Sequence, residues 1–236
     1  MIAEEEFRKI FSEAGLQASV GLYAPLRVYS DMLADWGTRM NLTAIREDRA
    51  VAVKHFADSL IPLTFVEIPA GSTVVDVGSG AGFPGVPMKL ARPDLSLTLL
   101  DSQQKRLTFL EALCRELDIE ASLLHMRAEE AGRAPEHRER YDAAVSRAVA
   151  ALPVLTEYCL PLVRTGGMML ALKGASGRAE AAESERAVTL CGGRIESITD
   201  YRLPDGDART LIVIRKISQT STKYPRTAAK IGKNPL

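Results

Sequence analysis

Hydrophobic residues recur at helical spacing through the first quarter of the chain. They form two runs, Phe7, Ile10, Phe11 and Ala14, then Leu22, Leu26, Tyr29, Leu33 and Trp36. Intervals of three and four residues predict amphipathic helices from residue 4 to about residue 60. We therefore expect a helical N-terminal extension over residues 1–70, with Gly15 separating its first two helices.

From Ser72 onward, short apolar runs alternate with helical stretches. The runs predict strands over 74–77, 95–100, 122–126, 141–146 and 168–172. The intervening stretches predict helices over 85–92, 103–117, 128–134, 150–162 and 177–191. Strands that alternate with helices indicate βαβ units and a parallel sheet covered on both faces, so we expect an α/β fold.

The end of this region breaks the alternation. Two strand-like segments, 195–201 and 210–217, flank the turn-rich loop 203–207 without a helix between them. Such a pair predicts a hairpin that puts an antiparallel edge on the sheet. We expect one domain over 71–217, followed by a basic tail over 218–236.

Composition sets limits on the class of protein. With 236 residues, 46% of them hydrophobic and 25% charged, the chain suits one domain with a substantial core. The three cysteines, Cys114, Cys159 and Cys191, are odd in number and widely spaced, which favours a reducing compartment over a disulfide framework. The acidic N-terminus has no apolar signal core, and the most apolar stretch, 149–163, is too short to span a bilayer. We expect a cytoplasmic protein without a membrane segment.

The net charge of zero conceals an uneven distribution. Thirty basic residues balance thirty acidic ones, yet residues 215–236 contain six Lys and Arg and no Asp or Glu. A basic tail of this kind is typical of an arm that seeks phosphate, although charged termini are also often merely solvated.

A glycine-rich loop follows the first predicted strand, over residues 74–85. Phe83 stands where a dinucleotide fingerprint needs its third glycine, and no lysine follows Gly85 as a Walker loop requires. The remaining pattern has Gly78, Gly80 and Gly82, with Asp76 two residues before them. This arrangement is found in class I methyltransferases that use S-adenosylmethionine.

Asp101 ends the second predicted strand, 23 residues after Gly78. A carboxylate at this place suits the two hydroxyls of a ribose, although Asp101 also suits the N-cap of the next helix. Ala128 and Glu129 follow the third strand, where an adenine edge would lie, and Glu129 alone is equally typical of a first helical turn.

The acceptor side is expected at the end of the fourth strand, where Ser146 and Arg147 lie. The chain lacks the Asn/Asp-Pro-Pro-aromatic motif of amino-group methyltransferases, and its cysteines fall in predicted helices rather than at a nucleophile position. Guanine N7 has a free lone pair, so its methylation needs alignment and electrostatic support but no obligatory base. Arg147 and Lys173 suit guanine O6 and N7, although each type of residue is more often a surface charge.

The three histidines and three cysteines show no zinc-type spacing, so we expect no metal.

Taken together, these segments resemble the RsmG (GidB) family of bacterial 16S rRNA guanine-N7 methyltransferases. The matching segments are 41–45, 54–59, 76–85, 100–102 with Lys105 and Arg106, 127–129, 145–148, 171–174 and 223–226. The resemblance implies S-adenosylmethionine bound at Gly78, Phe83, Asp101, Ser102, Ala128, Glu129 and Arg147. It also implies methyl transfer to N7 of one guanine in a loop of 16S rRNA near the decoding site, by a class I Rossmann-like fold.

The same resemblance assigns an RNA side to the site. It consists of Asn41, His55, Asp58, Lys173, Lys223 and Arg226. The expected partner is 16S rRNA or the 30S subunit, and the expected state is a monomer. A methyltransferase for a small metabolite, and a non-catalytic ribosome-assembly factor that binds the cofactor, remain alternatives at this point.

Overall fold

The computed structural model describes residues 1–16 and 21–236, so residues 17–20, between the two predicted N-terminal helical runs, lie outside the described residues. The strands are β1 Thr73–Val77, β2 Ser96–Asp101, β3 Ala121–His125, β4 Tyr141–Arg147, β5 Val163–Lys173, β6 Gly193–Arg202 and β7 Ala208–Lys216. The α-helices are α1 Glu4–Glu13, α2 Tyr23–Trp36, α3 Asp48–Val51, α4 Asp58–Leu60, α5 Pro62–Phe65, α6 Gly85–Ala91, α7 Gln104–Glu116, α8 Ala128–Ala131, α9 Leu152–Cys159, α10 Gly177–Glu183, α11 Glu185–Leu190 and α12 Ala228–Lys233. A π-helical turn, Ala52–Ala57, joins α3 to α4, and a 3₁₀ turn, Leu160–Leu162, follows α9.

The strands form one sheet in the order β3-β2-β1-β4-β5-β7-β6. The first five in the chain are parallel, and β7 runs antiparallel to both β5 and β6. The expected α/β class, the parallel sheet and the antiparallel terminal pair are confirmed. The last strand in the chain lies inside the sheet, and β6 forms its edge.

Both faces of the sheet are covered, which explains the continuous apolar runs of the strands. On β1, Val74 packs into one core while Val75 and Val77 pack into the other, because successive side chains point to opposite faces. The first core contains buried residues of α1, α2 and α7 together with strand residues of the sheet. The helical N-terminal extension therefore shares its core with the sheet.

The amphipathic character of α1 shows how its sequence produces this packing. Phe7, Ile10 and Phe11 are buried at helical spacing. Three glutamates, Glu4 to Glu6, occupy the first turn, where negative charge is stabilised by the helix dipole.

The C-terminal residues fold back onto the second face of the sheet. Arg138 donates hydrogen bonds to the carbonyl oxygens of Thr220 and Tyr224, at 2.6 and 2.9 Å. Three of the six basic residues expected to form a phosphate-seeking arm instead bind protein carboxylates. These pairs are Arg215 with Glu196, Lys216 with Glu139, and Arg226 with Glu157.

No helix in the described part of the chain is both long and apolar enough to cross a membrane.

Candidate active site

A cleft of about 730 Å³ opens along the carboxyl ends of the parallel strands. Strand-end residues Val77, Asp101, Arg147 and Lys173 line it. The loop before α3 and the π-helical turn form its opposite wall. Ligands of open α/β sheets bind at this edge, because the loops that leave the strands there can diverge around a ligand.

The glycine loop lies at the floor of the cleft. Gly78 and Gly80 have φ angles of 74° and 58°, which favour glycine. The amides of Gly78 and Ser79 donate hydrogen bonds to the carbonyl oxygen of Leu100, which fixes the loop against the end of β2. A Cβ on Gly78 would lie 2.5 Å from Val149, so the loop has no room for a side chain there.

Gly82, which we expected among the cofactor-binding residues, lies outside the cleft lining. A Cβ added to it would lie 2.5 Å from the hydroxyl oxygen of Tyr29. Gly82 therefore allows the loop to pack tightly against α2, and the described contacts give it no position facing a ligand.

Phe83 connects the glycine loop to the N-terminal helices. Its ring stacks on Tyr29 and on His55, with centroid distances of 5.1 and 4.4 Å. The Arg147 guanidinium carbon lies 5.1 Å from the same centroid. The Tyr29 hydroxyl also donates to the carbonyl oxygen of Ala81 at 2.5 Å. These contacts brace the loop against α2 and the π-helical turn.

Asp101 lies just before α7, but Gln103 and not Asp101 is the N-cap residue of that helix. One carboxylate oxygen of Asp101 accepts the Gln103 amide at 2.9 Å, and the other accepts the Gly80 amide at 2.9 Å. The side chain is buried yet lines the cleft. Each carboxylate oxygen can accept more than one hydrogen bond, so Asp101 can order the loop and also bind hydroxyls in the cleft.

Ser102, Ala128 and Glu129 line the same end of the cleft as Asp101. The buried carboxylate of Glu129 accepts a hydrogen bond from Arg127 Nε at 2.5 Å. Arg127, Arg106 and Tyr158 complete this end, which is therefore both polar and aromatic.

Arg147 lies at the other end of the cleft and is held from several sides. It donates hydrogen bonds to a carboxylate oxygen of Asp58 at 2.9 Å and to the carbonyl oxygen of Lys54 at 3.0 Å. The second oxygen of Asp58 accepts from Arg209 Nε at 3.2 Å and lies 3.4 Å from the Tyr201 hydroxyl. Asp58 was expected on the RNA side, but its side chain is 3% exposed and both oxygens bind protein groups. It therefore positions two arginines.

His55 stands between Arg147 and Thr43. Its Nδ1 lies 3.3 Å from Arg147, which can only donate, so Nδ1 is the acceptor and Nε2 donates to the Thr43 hydroxyl at 2.8 Å. Burial, assisted by the charge of Arg147, lowers the pKa of His55 to about 3. The imidazole is therefore neutral at physiological pH.

The buried Lys173 forms an ion pair with the half-buried Glu180, at 2.7 Å. Its ammonium also donates to the carbonyl oxygen of Ala150, while Glu180 accepts the Leu152 amide at 2.9 Å. The pair therefore ties β5 and α10 to the loop after β4. Ala148 in that loop has a φ of 57°, a strained conformation for a residue with a side chain.

Asp76 lies beneath the glycine loop and is fully buried. One of its oxygens accepts the Gly85 amide at 2.9 Å, while Oδ1 has no hydrogen-bond partner among the described residues. Burial raises the pKa of Asp76 to about 7. This carboxyl therefore changes its charge near neutral pH, directly below the site.

Eleven of the site residues expected from the sequence line this one cleft. They are His55, Asp58, Gly78, Gly80, Phe83, Asp101, Ser102, Ala128, Glu129, Arg147 and Lys173. Asn41, Lys223 and Arg226 do not line it. Arg226 is bound to the buried Glu157, and Asn41 is an exposed neighbour of Leu42, which does line the cleft.

Five charged residues of the cleft were not expected from the sequence as functional residues: Lys54, Arg106, Arg127, Glu180 and Arg209. Lys54 lies next to His55 in segment 54–59, which matches the family pattern, so this segment could have indicated a role for Lys54. Arg209 and Glu180 lie in segments without a motif, and only the sheet order brings them to the cleft.

A family model described as GidB, rRNA small subunit methyltransferase G, matches residues 23–209. The chain belongs to this family. The matched region begins at α2 and ends at Arg209, so it contains every strand-end residue of the cleft. The resemblance drawn from the sequence is confirmed.

Individual relatives agree with the family match. Ribosomal RNA small subunit methyltransferase G of Acetivibrio thermocellus is 48% identical over 210 residues, which cover 88% of this chain and 86% of that protein. The protein of the same name from Bacillus subtilis is 42% identical over 234 residues, or 98% of each chain.

Among solved structures, a SAM-dependent O-methyltransferase from Thermotoga maritima superposes with a TM-score of 0.52. The superposed region covers 80% of this chain and 72% of the Thermotoga maritima protein, at 14% sequence identity. This likeness concerns the fold, which is that of the class I methyltransferases.

Proposed function

We propose that this protein transfers the methyl group of S-adenosylmethionine to N7 of a guanine in a decoding-region loop of 16S rRNA. Membership of the GidB family supports the reaction and the rRNA substrate. The choice of N7 rests mainly on one observation: the acceptor end of the cleft presents Arg147 and Lys173, each bound to a buried or half-buried carboxylate.

The glycine-loop end of the cleft fits the cofactor. Gly78 leaves its Cα surface open to the cleft, and Asp101 retains acceptor capacity for ribose hydroxyls beside it. Ser102, Ala128 and Glu129 would hold the adenine end, and Phe83 would flank the other end of the cofactor. The bound cofactor supplies an electrophilic methyl group on a sulfonium, and the carboxylates of this cleft suit its positive charge.

The acceptor end supports an atom that has no proton to lose. The carboxylates there, Asp58 and Glu180, are already ion-paired, and the imidazole of His55 accepts from Arg147 through its only unprotonated nitrogen. None of the three cysteines lines the cleft, and burial raises the pKa of each thiol. A pyrimidine carbon, which needs a thiolate nucleophile, is therefore poorly served, whereas guanine N7 has its lone pair available.

Arg147 and Lys173 would orient the base through O6 and N7, as Arg and Lys do in nucleic-acid recognition. Asp58 holds Arg147 rigidly, so little ordering of that side chain is needed when the base enters. On the RNA side we propose Asn41, His55 and Lys223 as flanking contacts. We also propose the division into residues 1–70, 71–217 and 218–236, and a cytoplasmic monomer, since one chain supplies the whole cleft.

The test is methyl transfer from radiolabelled S-adenosylmethionine to 30S subunits and to protein-free 16S rRNA, both from a strain that lacks this enzyme. We expect the label at a single guanine, and chain cleavage after borohydride and aniline treatment, to which N7-methylguanine is sensitive. The variant Arg147→Ala should retain RNA binding and lose turnover. Arg164→Ala, which removes an exposed arginine at the opposite end of β5, is the matched control.

Label on another atom of guanine contradicts the choice of N7, and label only in small molecules or protein contradicts the rRNA substrate. Binding of both RNA and cofactor without turnover would instead indicate a non-catalytic assembly factor.

A further inference from the structure

A second groove, of about 400 Å³, lies beside the cleft. The ends of β6 and β7 and the start of α10 form it, and it shares Arg209 with the cleft. Three of its lining residues are arginines, Arg178, Arg202 and Arg209, against a single carboxylate, Asp200. The cleft and the groove are therefore adjacent, with Arg209 lining both.

The positive charge of the groove is only partly neutralised. Arg178 donates to Asp200 at 2.9 Å, and Arg209 is bound by Asp58. Arg202 donates to the carbonyl oxygen of Gly206 and makes no ion pair with any residue of the described ranges. Since guanidinium has five N–H donors, each arginine retains donors for an oxyanion.

The order of the strands indicates which part of a substrate would lie in this groove. The cofactor residues lie at the ends of β1, β2 and β3, and the acceptor residues lie at the ends of β4 and β5. The groove continues the same edge over β5, β7 and β6, away from the cofactor. A small acceptor would end within the cleft, whereas a polymer whose base enters the cleft can continue along this edge, away from the cofactor residues.

Aromatic surface adjoins the arginines. Tyr201 lines the groove, and its ring packs against Phe65, which is 46% exposed, with a centroid distance of 5.6 Å. Basic side chains beside exposed aromatic rings are typical of surfaces that bind single-stranded RNA, where phosphates meet the cations and unstacked bases meet the rings.

We propose that this groove binds the phosphodiester backbone of single-stranded RNA next to the target guanine, through Arg178 and Arg202. The inference rests on the proposed function and extends it, since it names the path of the substrate beyond the reacting base. Arg209 connects the two sites, with its guanidinium already oriented by Asp58.

The test compares two double variants that remove the same charge. Arg178→Ala with Arg202→Ala changes the groove and leaves Arg209 in place. Arg186→Ala with Arg194→Ala is the control, because both residues are exposed and Arg194 lies at the opposite end of β6, about 26 Å from Arg202 along the strand. Binding of protein-free 16S rRNA and of 30S subunits is measured over a range of salt concentrations, together with KM, kcat and cofactor affinity.

For the groove variant we expect the slope of log affinity against log salt to become shallower by about 1.4, which corresponds to two single-strand phosphates. Its KM for RNA should rise about tenfold, as the loss of two phosphate contacts implies, while kcat and cofactor affinity stay unchanged. The control should keep the slope and KM of the unmodified protein.

Equal slopes for the two variants would overturn the proposal. A loss confined to 30S subunits, with protein-free RNA bound normally, would also overturn it and point to an acidic protein partner. Thermal unfolding of both variants shows whether each is folded. These measurements concern RNA binding, so they remain informative if methylation at N7 is not found, and the two proposals can fail separately.

Discussion

At the scale of single residues, the charges of this site are set by burial and by partners far away in the chain. Asp76 is the clearest case, because it is fully buried with one oxygen unpaired. Its pKa of about 7 lies well above that of an unfolded aspartate, about 3.9. Between these two values the folded protein binds one more proton than the unfolded chain, so the contribution of Asp76 to stability falls as pH rises.

Replacing this carboxyl tests the linkage. From pH 5 to pH 8 the unmodified protein should lose stability relative to Asp76→Asn, by on the order of 3 kcal/mol. Urea unfolding of both proteins at several pH values measures the difference. His55, with its lowered pKa, acts with the opposite sign, but it is present in both proteins and cancels. Parallel stability profiles would contradict the assignment.

Glu180 provides a second test at this scale. Glu180→Gln leaves the buried ammonium of Lys173 without a charged partner and weakens the hold on the loop after β4. We expect a loss of about 1–3 kcal/mol in stability and a lower kcat, with cofactor affinity nearly unchanged. Calorimetric unfolding, single-turnover rates and cofactor titration measure these three quantities.

The control for Glu180→Gln is Glu183→Gln, since Glu183 lies on the same helix, is exposed and makes no ion pair with the described residues. If both variants lower kcat equally, Glu180 has no particular role in positioning.

The sequence identified most cleft residues but not what they do. Asp58 was assigned to RNA, yet its carboxylate binds Arg147 and Arg209, 89 and 151 residues away. Spacing along a chain predicts local partners such as Gln103 for Asp101. It does not predict partners that only the tertiary fold brings together, which is why Asp58, Glu180 and Arg209 needed the structure.

At the scale of elements, the observed strand boundaries lie within a few residues of the predicted ones, except at the start of β5. The prediction succeeds because each strand is a short apolar run bounded by polar turns. The helix expected over 177–191 is instead two helices that meet at Ser184. The Ser184 hydroxyl donates to the carbonyl oxygen of Glu180, a local bond that competes with helix continuation. Apolar spacing alone does not reveal such a break.

The C-terminal tail is an element whose basic residues differ in their roles. Arg226 makes a bidentate pair with Glu157, which is fully buried, whereas Lys223 is exposed. Arg226→Ala should therefore destabilise the protein by about 3–5 kcal/mol, because it leaves a buried carboxylate unpaired. Lys223→Ala should leave stability unchanged and weaken RNA binding modestly. Urea unfolding and salt-dependent RNA binding separate these effects, and equal stabilities would show that the pair is not structural.

Helix α2 acts on the glycine loop through one hydroxyl. Tyr29→Phe keeps the stack on Phe83 and removes the hydrogen bond to Ala81. Cofactor affinity should fall about twofold to tenfold, the effect of losing one hydrogen bond. Isothermal titration measures it, and Tyr23→Phe, which removes a hydroxyl bonded to Ile2 far along the same helix, is the control. Unchanged affinity would mean that the loop holds its shape without α2.

At the scale of the whole molecule, the zero net charge of the chain conceals cations that are held in ion pairs at the site. Each Lys and Arg that lines the cleft is ion-paired: Lys54, Arg106, Arg127, Arg147, Lys173 and Arg209. A net charge of zero gives no sign of a polyanionic partner, whereas the basic tail is typical of an arm that seeks phosphate. The structure shows a third arrangement. The lysines and arginines of the cleft are paired with nearby carboxylates, whereas the groove beside the cleft contains Arg202, which makes no ion pair with the described residues.

The shared core predicts that the N-terminal helices and the sheet unfold together. Trp36, the single tryptophan of the chain, packs on Phe109 of α7 at a centroid distance of 5.5 Å. Its fluorescence reports the contact between the N-terminal helices and the sheet layer, while far-UV circular dichroism reports the whole fold. The two urea transitions should coincide. An earlier fluorescence transition would mean that residues 1–70 unfold as a separate unit.

The position of β7 has a consequence for protein synthesis. Because the final strand is inserted between β5 and β6, the sheet cannot be completed while the ribosome is still translating residues before 216. Arg209 emerges after every other residue that lines the cleft. A nascent chain can thus expose its glycine loop early but acquires a finished cleft only after β7 has emerged, so products terminated before residue 216 would be incomplete in their sheet and readily degraded.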